Sequence, residues 1–171
     1  MKRALEGFAD YNDMADRAML AILDGLAPER REEPTGAYFG SLHGTVAHMA
    51  WAGALWLKRF SSFGDWSACA AWADADLAAR KDGAKADWGQ ARALLAETDG
   101  ALGLLVTQIG EAELYRRVRY ATTDGTELER TLWHLVMHAL NHGTHHRGEI
   151  SAMLDRMGVE NDFNSLVEYV E

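Results

Sequence analysis

Apolar residues at Trp88, Ala91, Leu95, Thr98, Leu102, Leu105 and Ile109 recur in steps of three and four until Gly110 interrupts the run. An α-helix turns about 100° per residue, so these steps lay one continuous stripe along one side of a rod. A rod with a single apolar side must bury it against others. Comparable patterns occupy residues 3–26, with Phe8, Tyr11, Ala15, Ala18 and Ile22 on one face up to Gly25, and residues 41–60, which are apolar nearly all round. The last and longest covers residues 127–157 and is closed by Gly158. The chain is therefore expected to be all-α, a four-helix bundle in one domain spanning residues 1–171. With 48% hydrophobic residues and six Trp among 171 residues, such a domain has the material for a substantial core.

The connections refine that picture. The segment APERREEPTGAYFG holds both prolines, Pro28 and Pro34, and reads as a long surface crossover between the first two long helices. Residues 66–79 are Ala-rich and suggest a short extra helix, in which Cys69 is a small core filler. Between residues 114 and 127, β-branched and aromatic residues surround Asp124-Gly125, a turn signal that predicts a small hairpin. Thr126 and Glu129 have capping-box spacing and place the start of the last helix near residue 127.

The last long run also carries His134, His138, His142 and His146 at intervals of four. Residues four apart on a helix stack with Cβ atoms about 5–6 Å apart, close enough for two imidazoles to share a metal ion. Each step of four drifts by about 40°, so the whole series cannot serve one site. Measured against the stripe of Leu135, Ala139, Ile150, Met153 and Met157, only His142 and His146 lie within roughly 30–50° of its centre. Two imidazoles on a core-facing stripe need hydrogen-bond partners or a metal. His134 and His145 point sideways and read as surface residues. A third ligand has to come from His43 or His48, which are five apart on the second long helix and cannot share a face. His48 lies deeper in the apolar run TVAHMAWAGALW, whereas His43, near the helix start, is expected to be solvated.

One His in the second long helix followed by Asn141-His142-Gly143-Thr144-His145-His146-Arg147-Gly148 in the last resembles the DinB/YfiT-like superfamily of metalloproteins. Tyr11-Asn12 in the first helix and TTDGTELER before the last are also similar to that family, so the resemblance covers nearly the whole chain. It implies a bundle with a crossover, a homodimer, and one divalent metal, zinc or nickel, on His48, His142 and His146. It further implies a metal-dependent transferase or isomerase that uses a low-molecular-weight thiol on a small-molecule substrate. A metal-dependent hydrolase and a non-enzymatic metal-binding stress-response protein are the alternatives, and no general base is identified. The superfamily commonly has Gln after the final HRG, where this chain has Glu149.

Around that centre, Glu149 reads either as a support for a ligand or as a partly exposed helix charge. His138 and Asn141 are candidates for the pocket wall or its rim. Tyr11 and Asn12 face inward on the first helix, and the Tyr11 hydroxyl either enters the pocket or is a core group with one hydrogen bond. Trp51 and Trp56 either wall the pocket or simply pack. Arg147 reads as a packing or ion-pair residue. Three imidazoles of intrinsic pKa near 6.5 predict metal release below about pH 6.

Composition excludes several classes. A net charge of −9 opposes nucleic-acid binding, which needs a basic face. No run approaches the ~20 apolar residues of a membrane span, and the start MKRALEGFADYND turns acidic too early for a signal peptide. The single Cys rules out an internal disulfide, and cytoplasm is the expected location.

Overall fold

The computed structural model describes residues 1–169. Its order is α1 (Lys2–Asp24), α2 (Pro28–Glu32), α3 (Leu42–Phe60), α4 (Ser67–Ala70), α5 (Leu77–Ala86), α6 (Trp88–Gln108), a 3₁₀ turn (Glu113–Tyr115), β1 (Arg117–Ala121), β2 (Glu127–Thr131), α7 (Leu132–Arg156) and α8 (Leu166–Tyr169). The fold is all-α with one small hairpin. The four long helices α1, α3, α6 and α7 form the bundle: α1 and α3 each pack against both α6 and α7, so they face one another across its diagonal. A crossover of the length between Asp24 and Leu42 is what lets consecutive long helices take diagonal corners.

Local chemistry sets the helix ends. Ser41 caps α3 by accepting from the Gly44 amide at 3.0 Å. Asp87 ends α5 and caps α6 through the Gln90 amide at 2.8 Å. Past the end of α7, Gly158 takes φ 68°, which releases the chain without a Cβ clash.

Three details differ from the sequence reading. The Ala-rich stretch is not one helix: α4 stops at Ala70, and Asp76 starts α5 by accepting from the Ala78 and Ala79 amides. The crossover holds the additional short helix α2, with Pro28 at its first turn. The last helix begins at Leu132, because residues 127–131 pair with β1 and Glu129 lies opposite Arg119. Glu129 reaches Arg117 and Arg119 at 3.4 Å each instead of closing a capping box with Thr126. The alternation in ELERT satisfies a strand ladder as well as a helix start, and tertiary pairing decides between them.

The core runs the length of the bundle, with Leu5, Val46, Leu57, Leu105, Ile150 and Leu154 each at 0% exposure. After α7 the chain returns to bury Phe163 fully. Among the described residues, no helix is long and apolar enough to cross a membrane.

Candidate metal centre

α3 and α7 pack side by side, and that contact brings His48 to the histidine ladder. The Nε2 of His142 lies 3.2 Å from that of His48 and 3.1 Å from that of His146. One ring nitrogen from each of the three residues falls within 4.8 Å of the others. Four-coordinate zinc with Zn–N bonds of 2.0–2.1 Å places its ligand nitrogens about 3.3 Å apart, so the spacing suits one divalent ion. His146 is buried, and His48 and His142 are half-buried.

Neutral rings are the ligating form, and the environment favours them. Burial, then the neighbouring His146, His48 and His138, push His142 down to about 3. Burial and then His146 push His48 down to about 4, against a smaller opposing effect of Glu149. Burial also lowers His146, although its hydrogen bond to Glu149 opposes that. Three uncharged imidazoles whose Nε2 atoms converge can all present lone pairs only to something electron-poor.

Two neighbours set the rings. Nδ1–H of His146 donates to Glu149 Oε2 at 2.7 Å, which fixes the tautomer that leaves Nε2 free. Phe39, from the crossover, stacks on His48 with centroids 3.8 Å apart and meets His146 edge-on at 5.5 Å. Glu149 combines both sequence readings, being one-third exposed and bonded to a candidate ligand. Replacing it by Gln is expected to weaken metal binding about 10–100-fold. A chelator-competition titration checks this, and an unchanged affinity would remove Glu149 from the site.

The other candidates spread out. His43 corrects the sequence expectation of a solvated residue: it is 3% exposed, paired through Nδ1 with Glu32 and bonded through Nε2 to the Ala84 carbonyl at 2.7 Å. With both ring nitrogens occupied, it ties α2 and α5 to α3 and has no lone pair for a metal. His138 is exposed at the rim against Trp56. Trp56 packs on Phe60 and Tyr120, whereas Trp51 stands 6.1 Å from His48 in a surface groove. Asn141 is exposed on the opposite side, in a groove with Phe8, Met137 and Leu166. The Tyr11 hydroxyl donates to the Asn164 carbonyl at 3.2 Å rather than entering the site. His134 and His145 are exposed, as their sideways positions predict, and His145 lies 3.2 Å from Glu149.

Behind the histidines, Asn12 donates to the Leu140 carbonyl at 2.8 Å and accepts from Arg147 Nη2 at 2.6 Å. Arg147, at 0% exposure, also donates to Asp16 Oδ1 at 3.1 Å, the ion pair its helical position suggests. Asp16 in turn lies beside Asp99, and burial raises both carboxyls above the usual carboxylate range. Asn12, Asp16, Asp99 and His142 line a cavity of about 30 Å3, room for about two waters. A Cβ on Gly143 would come within 3.1 Å of Arg147 Nη1, which explains the glycine between the two ligand-bearing turns.

A model of the DinB family matches residues 1–169. The chain belongs to the DinB family. No curated protein and no solved structure gives a significant match to it. What this DinB chain shows on its own residues is a histidine cluster that can hold a metal ion. Sequence reasoning missed Phe39, Asp16 and Asp99. Asp16 was open to detection, because it shares the inward side of α1 with Asn12, Ala15 and Met19.

Proposed function

We propose that His48, His142 and His146 hold one divalent cation, zinc or nickel, and that the protein is a metal-dependent transferase or isomerase acting with a low-molecular-weight thiol. The observation that carries the proposal is the convergence of three neutral Nε2 atoms drawn from two helices. Only nitrogen donors take part, which suits borderline cations better than magnesium or calcium. Three protein ligands leave a coordination position open, as in catalytic rather than structural sites.

A cation bound there supplies Lewis acidity, which favours a thiolate over a thiol at neutral pH. The protein's own part is to hold the ligands. Glu149 keeps the His146 proton on Nδ1, and Phe39 fixes the plane of His48 while shielding one of its faces from water. The buried Arg147–Asp16 pair anchors the turn of α7 that bears His146 against α1. Family membership adds weight to the metal reading, and the thiol follows from the superfamily resemblance.

Cobalt substitution tests both halves. One cobalt per chain is expected, and a sulfur-to-cobalt charge-transfer band should appear when 2-mercaptoethanol or 3-mercaptopropionate is added. Substoichiometric cobalt would end the metal reading. Stoichiometric cobalt with no response to either thiol would end the thiol reading alone.

A further inference from the structure

A groove of about 710 Å3 opens beside His48, walled by Tyr38, Phe39, Ala47, Trp51, Lys81 and Lys85. The chain has 26 acidic and 17 basic residues, yet no carboxylate lines this groove. Several cations elsewhere are matched by carboxylates, Arg17 by Asp13, Arg80 by Glu97, Arg92 by Asp24 and Arg147 by Asp16. Lys81 and Lys85 have no ion-pair partner among the described residues, and Lys81 instead lies 4.3 Å from the Trp51 ring centroid. Unmatched positive charge concentrated in a concavity of an acidic protein is a local attractor for anions.

The lysines are also held in place. They are four apart on α5, so they stack on one face. The Asp76 cap fixes the start of α5, and the bond from His43 to the Ala84 carbonyl, between the two lysines in sequence, fastens α5 to α3. His43 and His48 both belong to α3, so the same helix sets the distance between the lysine pair and the candidate metal ligand. Trp51 and the 92% exposed Tyr38 add aromatic surface suited to the carbon body of a ligand.

We infer that this groove binds a small anionic molecule, a carboxylate or a phosphate monoester, with its charge at Lys81 and Lys85 and its body along Trp51 and Tyr38. If the metal reading above holds, on which this extension rests, the thiol partner or its co-substrate carries that anionic group, and neutral thiols are poor ligands.

Two arms test the groove, one of which needs no metal. In metal-free protein, the Trp51 indole resonance, assigned with Trp51→Phe, is followed while glutarate or glycerol phosphate is added. A saturable shift with either anion is expected, and the anion with the tighter response identifies the chemical source. The affinity should weaken at least about fivefold in the Lys81→Gln/Lys85→Gln variant. No shift with either anion, or an unchanged affinity in that variant, overturns the inference.

In cobalt-loaded protein, 3-mercaptopropionate should bind at least about fivefold tighter than 2-mercaptoethanol. In the Lys81→Glu/Lys85→Glu variant the preference should turn toward cysteamine. Equal affinities for charged and neutral thiols overturn the inference and leave the metal site standing. Protein that takes up no cobalt removes the metal reading, and the Trp51 titration then decides the groove by itself.

Discussion

Arg147→Met is expected to destabilise the fold by about 3–5 kcal/mol, the cost of leaving a buried charge without its partner. Arg147 is fully buried and its guanidinium serves three acceptors: Asp16 at 3.1 Å, Asn12 at 2.6 Å and Thr144 at 2.9 Å. It also lies 4.8 Å from the Tyr11 ring centroid. Met preserves most of the volume, so the loss reports charge and hydrogen bonds rather than a cavity. The pH dependence separates these. Burial raises the Asp16 carboxyl to about 6, against a lowering by Arg147, and the neighbouring Asp99 carboxyl is raised as well. Without Arg147 the folded-state pKa of Asp16 rises further above its unfolded value of 3.8. A group raised in this way favours the fold when protonated, so the variant should recover stability as pH falls from about 7.5 toward 5. Urea unfolding of both proteins at the two pH values measures the difference. A loss below about 1 kcal/mol, or one independent of pH, would mean that Arg147 is not the counter-charge of this cluster.

That cluster also shows where the sequence was readable and where it was not. The bundle was legible because each long helix repeats its apolar residues at the helical period, and His142 and His146 follow from the same geometry. The sequence favours His48 over His43 by its apolar surroundings and by the family resemblance. The true difference is that α2 and α5 cover His43 and occupy both its ring nitrogens, which no wheel drawn on α3 can reveal. The lysine groove was hidden for a related reason. The register of α5 against α3 depends on that same His43 bond and on Asp76, whose capping role was concealed in an Ala-rich stretch read as one helix. Asn141 was misleading through its position beside His142. A residue one step along a helix is rotated by about 100°, and here that rotation carries it to the far surface.

Removing His142 should lower divalent-metal affinity by more than about 100-fold, beyond what loss of a supporting residue costs. Its Nε2 is the atom within 3.2 Å of both other candidate ligands, so His142→Ala leaves two rings without the nitrogen that spans them. His145→Ala is the informative control, because His145, His146 and Glu149 form a second group whose ligand atoms lie within 4.8 Å. Stoichiometric metal in His142→Ala, with loss in His145→Ala, would move the site to that second group. The structure also revises the pH at which metal should leave. Protons compete for an imidazole only near or below its metal-free pKa, and burial with neighbouring histidines holds His142 at about 3 and His48 at about 4. All three rings are lowered, so affinity should begin to fall at a lower pH than the value of about 6 expected of free imidazoles. The same depression works against the metal-free fold in acid. Unfolded chains take up protons on these rings below 6.5 while the folded rings resist until about 4 and about 3, so this contribution to stability is lost across that window. Bound metal should offset that loss, and the metal-dependent gain in Tm at pH 5 should disappear in His142→Ala. An affinity that already declines from pH 6.5 would mean that the metal-free rings are open to water, and that their convergence is not what captures the ion.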